Sequence, residues 1–206
     1  MTLRAVLITY NDWPTVEKCI ESVYDLVDEI IAVDGKYSDF AQMYDSDFSA
    51  DGTLEYLKNV DKVRIIYAAN LLEVDKRNRY LEGLKEGDWV LHLDADEVWE
   101  GPCEIPLADM GISQLVQLRS GHMDGKRIRL FRYIEGLRYC DKHYWLKDGQ
   151  GRTFSLLEKP GESYVGVPIE GKIIHHDIDR PDERIMPKRA YYRILVKREN
   201  PIKEVV

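Results

Sequence analysis

The stretch Trp89-Val90-Leu91-His92-Leu93-Asp94-Ala95-Asp96-Glu97 decides how the chain is read. An apolar run broken only by His92 leads straight into a cluster of acids. Such a run predicts a strand buried on both faces, as in a parallel sheet covered by helices. Side chains two apart in an extended segment point to the same side, which sets Asp94 and Asp96 facing one space at the strand's end. Two carboxylates that close repel unless a cation or hydrogen-bond donors neutralise them. Hard oxygen donors suit Mg²⁺ or Mn²⁺, ions that keep positions open for phosphate oxygens. An isolated Asp-x-Asp is as readily an acidic turn; its place after the fourth strand of an alternating series favours the cation.

That series is built upstream. Leu3 to Thr9 reads as a first buried strand. Asn11-Asp12-Trp13-Pro14 follows, with Asp12 placed to cap a helix and Pro14 suited to its first turn. Val16, Cys19, Ile20, Val23 and Val27 recur at helical spacing. Ile30 to Val33 is a second strand ending at Asp34-Gly35; residues 36–51, rich in Asp, Ser and Tyr, read as a loop. Thr53 to Lys58 predicts a short helix, Val63 to Tyr67 a third strand, and Glu73 to about Lys85 a further helix. Strands alternating with helices imply an α/β fold with a mostly parallel sheet and right-handed crossovers. Ligands in such sheets sit beyond the carboxyl ends of the strands. Polar residues stand at three of those ends: Thr9 to Asp12, Asp34-Gly35, and Asp94 to Asp96. Asp34 is either the acceptor for a nucleobase or ribose, or part of a plain Asp-Gly turn.

Beyond Gly101-Pro102 the pattern changes. Leu115 to Leu118, Ile128 to Arg132 and Lys172 to Ile174 read as strands; residues 133–170 show no clear period. Residues 1–100 are expected to form one half, and 101–206 a smaller closing half of the same domain. Arg184 to Arg198 carries Lys188, Arg189, Arg193 and Lys197. It reads as a solvated helix face, with peripheral contact to an anionic membrane as the other use.

Several function classes drop out. The 206-residue chain has 29 basic and 37 acidic residues, a formal charge of -8, which disfavours nucleic-acid binding through overall charge. Its three cysteines, Cys19, Cys103 and Cys140, form neither a disulfide framework nor a zinc pattern. No signal-like opening and no run of about 18 apolar residues occur, so a cytoplasmic protein is expected. The glycine signatures of dinucleotide and P-loop sites are missing, which disfavours dehydrogenases and P-loop NTPases.

These residues resemble a family. Val6-Leu7-Ile8-Thr9-Tyr10-Asn11-Asp12, Leu26 through Gly35, and Lys76-Arg77-Asn78 through Glu97 are similar to nucleotide-sugar glycosyltransferases of the GT-A fold, family 2 type. The likeness covers the first hundred residues well and the rest weakly. It implies a Rossmann-like sheet flanked by helices, with a smaller C-terminal acceptor-side region. It implies sugar transfer, with inversion, from a nucleoside-diphosphate donor to an acceptor hydroxyl of a glycan, lipid-linked sugar or protein. By this resemblance Thr9, Asn11 and Asp34 line the nucleoside pocket and Asp94 sits near the ribose or metal; Arg77, in the helix feeding the fourth strand, is either a cation for the diphosphate of the nucleotide sugar or a surface helix arginine, and Arg129 is a further candidate for binding it. Asp94, Asp96 and one of His175 and His176, taken here as His175, hold Mn²⁺ or Mg²⁺. Arg127, Arg129 and Arg132 resemble the family's Arg-Leu-Phe-Arg segment, and are either phosphate or acceptor contacts or an exposed strand face. A His-Glu pair often follows that segment. Here the place reads Cys140-Asp141-Lys142-His143-Tyr144, with Tyr144 where the acid is expected. Asp141 is then the first candidate base and His143 the second. The same departure motivates a rival, an inactive nucleotide-sugar-binding module. A sugar-phosphate nucleotidyltransferase ranks lower, because the N-terminal loop lacks a glycine-rich basic segment for a triphosphate.

Overall fold

Strand β1 (Leu3–Thr9) is the spine, and its alternation assigns the two faces of the sheet. Leu3, Ala5 and Leu7 belong to one buried cluster, with Val16, Cys19, Ile20 and Val23 of helix α1 (Thr15–Val23) and Leu57 of helix α2 (Thr53–Lys58). Val6 and Ile8 belong to the other, with Tyr80 and Leu81 of helix α3 (Glu73–Leu81). The period of two in the strand thus meets a period of 3.6 on helices at both faces.

The computed structural model describes residues 1–39, 44–102, 104–105, 107, 111–120, 123–140, 146–155 and 163–176. β1 pairs in parallel with β2 (Glu29–Asp34) and with β4 (Trp89–His92), and β2 pairs in parallel with β3 (Val63–Tyr67). The order β3-β2-β1-β4 reverses direction of travel between β1 and β4, the crevice where open α/β sheets take ligands. The expected mostly parallel α/β fold is therefore present. β5 (Glu97–Glu100), β6 (Ser113–Ser120), β7 (Met123–Arg132) and β12 (Val167–His175) complete eight strands in the order β3-β2-β1-β4-β7-β6-β12-β5. β7 runs antiparallel to β4, while β12 is parallel to β6 and antiparallel to β5. The later chain thus extends the sheet that the first hundred residues begin.

A second sheet, in the order β11-β10-β9-β8, comes from residues in which no period was legible. Its strands are β8 (Arg138–Tyr139), β9 (Leu146–Lys147), β10 (Thr153–Ser155) and β11 (Ser163–Val165). Two or three residues are too short to show alternation. Two helix boundaries differ from expectation. Asp12 does not cap α1 with its side chain: the carboxylate accepts from Tyr10 N–H at 2.8 Å, and the first turn is closed by Val16 N–H to the Asp12 carbonyl. Helix α3 stops at Leu81, ahead of Gly83 at φ +85°, a left-handed conformation that glycine adopts without strain. Among the described residues no helix is long and apolar enough to cross a membrane. The basic stretch 184–198 lies outside the described residues.

Candidate active site

The carboxyl ends of β1 and β2 are laced to residues 46–53. Asp34 accepts from the hydroxyl of Thr9 at 3.0 Å, from the hydroxyl of Ser49 and from the Ser49 N–H at 3.0 Å. Asn11 N–H donates to Ser49 Oγ, and Asn11 Oδ1 accepts from Ala50 N–H, with Asn11 itself at φ +51°, which Asn tolerates. Asp12 N–H donates to Thr53 Oγ1 and Trp13 N–H to Asp51. Burial raises the Asp34 carboxyl above its ordinary value, and these donors act against that rise. The structure thus brings together Thr9, Asn11 and Asp34, and adds Ser49 and Thr53, which no sequence pattern singled out.

Lys76, which no sequence pattern singled out either, also stands at these strand ends. It is wholly buried, and its ammonium donates to the carbonyl of Thr9 at 3.1 Å and to that of Gly35. Its Nζ lies 4.3 Å from the centre of the Tyr37 ring, a cation–π contact. Burial lowers its pKa to about 8, against the pull of Asp34, Asp12 and Glu73. Lys76 thus ties together the carboxyl ends of β1 and β2.

At the end of β4 the expected alternation does not apply, because the chain leaves extended geometry after His92. Ala95 and Asp96 form a turn closed by Glu97 N–H to the Asp94 carbonyl at 2.9 Å. The two aspartates therefore take different partners. Asp94 accepts from Arg77 Nη2 at 3.0 Å and lies 3.7 Å from Arg129 Nη2. Burial opposes its ionisation, yet Arg77, His92 and Arg129 together hold its carboxyl well below the usual range. Arg77 also donates to Glu73 at 2.7 Å and meets Nε2 of His92. Arg129 donates to Glu97 at 2.7 Å. His92 is buried beside the two guanidinium groups; burial first, then those charges, lower its pKa to about 3, so it is neutral. Its Nδ1 lies 3.3 Å from the Tyr139 hydroxyl.

Asp96 is fully buried, with Oδ2 at 3.4 Å from Nε2 of His175; His175 Nδ1 lies 3.6 Å from Glu97. Strand pairing makes this approach, since β12 sets His175 opposite Glu97 of β5. Neighbouring donors around an octahedral ion of this size are separated by about 3 Å. Asp96 and His175 therefore fit a divalent cation, while the Asp94 carboxylate is committed to guanidinium groups. Among the described residues no three His, Cys, Asp or Glu side chains converge as a metal-binding group. A cation here would take one carboxylate and one imidazole from the chain and the rest from phosphate and water, a mixed donor set that suits Mn²⁺ better than Mg²⁺.

Other expected residues fall elsewhere. Arg132 pairs with Trp89, at the opposite end of β4 from Asp94, because β7 runs antiparallel to β4 and three residues carry the chain away from Arg129. Arg127 is exposed. Asp141, His143 and Tyr144 lie outside the described residues.

Residues 5–107, half of the chain, match the model of Glycosyl transferase family 2. Three solved structures of TarS from S. aureus are similar at low identity. The fragment 1–349 alone is 17% identical over 61% of this chain and 38% of that one, with TM-score 0.41. Its complex with UDP-GlcNAc is 19% identical over 61% and 36%, with TM-score 0.43. Its complex with UDP is 18% identical over 61% and 38%, with TM-score 0.42. The match thus spans under two-fifths of those chains. No curated protein matches the chain.

Proposed function

The chain belongs to glycosyl transferase family 2 and is a glycosyltransferase; from that premise we propose that it moves a sugar, with inversion, from a nucleoside-diphosphate donor to an acceptor hydroxyl with the help of a divalent cation. What supports the reading is the charge arrangement at the end of β4. Four carboxylates, of Glu73, Asp94, Asp96 and Glu97, stand against two guanidiniums, of Arg77 and Arg129, along one chain of contacts. Burial holds the Glu97 carboxyl above its ordinary value and Glu73 is partly exposed, so no fixed charge count follows, but the acids outnumber the guanidiniums and that favours a dication.

In this reading Asp96 and His175 hold the cation at the crevice between β1 and β4. When bound there, it neutralises the charge that builds on the diphosphate as the sugar departs. Thr9, Asn11 and Asp34 line the nucleoside end, with Asp34 held rigid by Ser49. Asp94, fixed between Arg77 and Arg129, meets the ribose. Asp141, or failing it His143, accepts the acceptor's proton, on sequence grounds alone.

A thermal-shift series of nucleoside diphosphates with and without Mn²⁺ tests this. UDP or GDP should raise the melting temperature only with Mn²⁺, and Asp96→Asn should remove that increment. Absence of any nucleotide-dependent shift in the native chain would sink the reading.

A further inference from the structure

Strands β8 and β9 set two cations face to face. Arg138 pairs directly with Lys147 in the antiparallel register, on the side opposite Tyr139 and Leu146, which point into the core. Like charges at directly opposed positions destabilise a strand pair. Neither side chain has a hydrogen-bond or ion-pair partner among the described residues. Both line a cavity of about 700 Å³ with Gly136, Leu137, Asp148, Gly149 and Gly151. That volume holds a sugar-sized ligand. Three of the lining residues are glycines, so the ligand meets backbone without side chains in the way.

Asp148, the acid among the lining residues, is already engaged. Its carboxylate accepts from Arg152 Nε at 2.7 Å, the Tyr164 hydroxyl at 3.0 Å, and the N–H groups of Gln150 and Arg152. Arg138, Lys147 and Arg152 against Asp148 leave a local surplus of positive charge on a chain whose formal charge is -8. In the transferase reading the diphosphate of the donor is placed beyond β1 and β4. The groove belongs instead to β8 and β9, the strands that in sequence come just before and just after the segment carrying Asp141 and His143.

We propose that the groove between Gly136–Arg138 and Lys147–Gly151 binds a phosphate group carried by the acceptor, with the Arg138 guanidinium and the Lys147 ammonium on either side of it. A guanidinium fork matches phosphate oxygens, and an ammonium adds a point charge. Assigning the anion to an acceptor rests on the transferase reading; anion binding itself does not.

The test is an amide NMR titration of the full chain with inorganic phosphate, glucose 6-phosphate and glucose. Phosphate and glucose 6-phosphate should each saturate with shifts centred on the amides of Gly136, Gly149 and Gly151. Glucose should not. The double variant Arg138→Gln/Lys147→Gln should weaken both by about fivefold or more, as should raised salt. Its amide spectrum reports that it folds, and Arg138→Lys, which keeps the charge without the fork, should bind more weakly than the native chain but more tightly than the double variant. Equal binding by the double variant, or no shifts at those glycines, overturns the site. Binding of inorganic phosphate without glucose 6-phosphate overturns the acceptor assignment. UDP with Mn²⁺ should stabilise the double variant as it does the native chain, so failure of the donor reading shows separately.

Discussion

Arg77 Nη2 lies 3.0 Å from Oδ1 of Asp94, joining a helix to the end of a strand across 17 positions of sequence. The same nitrogen lies 2.7 Å from Glu73 Oε1, one turn back on α3. The guanidinium side chain is 2% exposed. Removing it leaves two carboxylates facing each other with little water. Arg77→Met should therefore lower stability by about 3–5 kcal/mol, read from the midpoint of urea denaturation. Arg77→Lys should recover only part, since one ammonium cannot reach both acids and His92 in a fixed plane. An unchanged midpoint in Arg77→Met would show that Asp94 is held by something else.

Lys76 links pH to stability. Its folded pKa is about 8, lowered from an ordinary value of 10.5. Asp34, Asp12 and Glu73 face it and favour its charge; Arg77 disfavours it. Between the two values the unfolded chain binds more protons, so this group's contribution rises with pH from about 8 to 10.5 and is lost as pH falls back through 8. The full swing is about 3 kcal/mol. Lys76→Met has no such group. The stability difference, native minus variant, should grow when denaturation is followed from pH 7.5 to pH 10. A difference constant across that range would overturn the assignment.

The parallel half of the sheet was legible because burial on both faces writes itself as long apolar runs, as in Leu3 to Thr9 and Ile30 to Val33. The second sheet was not, because strands as short as Leu146–Lys147 carry no period. The acids at the end of β4 were legible as a cluster but not as a geometry. Reading Asp94 and Asp96 as a same-side pair assumed an extended chain, and the turn at Ala95-Asp96 sent them to different partners. His175 was singled out only through the family likeness, and its approach to Asp96 comes from long-range pairing of β12 with β5. Ser49 and Lys76 left no local mark: a serine in a polar loop and a lysine in a charged helix look solvated until the fold surrounds them.

His175 and His176 are separable by their different routes to Asp96. His175 approaches the carboxylate with Nε2, while His176 bonds the Asp96 carbonyl through its backbone N–H at 2.9 Å. A backbone donor survives substitution. His175→Ala should raise the Mn²⁺ concentration needed for nucleotide-dependent stabilisation by at least about tenfold. His176→Ala should leave it close to native. The reverse order in a Mn²⁺ titration at fixed UDP would transfer the ligand role to His176.

Asn78 of α3 fastens the second sheet to the first. Its Nδ2 donates to the Tyr139 carbonyl at 3.0 Å, and its Oδ1 accepts from the Tyr139 N–H at 2.8 Å. One side-chain amide thus satisfies both backbone groups of a residue that is 4% exposed. Asn78→Ala leaves both without that partner, at a cost of about 1–3 kcal/mol. Asn78→Asp keeps the acceptor for the N–H but presents an oxygen to the carbonyl, so it should not restore the native value. Hydrogen exchange separates this loss from general unfolding. The Tyr139 amide should exchange faster in Asn78→Ala while the amides of Val6 and Leu7 in β1 stay protected. Equal acceleration at all three would mean that α3 and β8 open only with the whole domain.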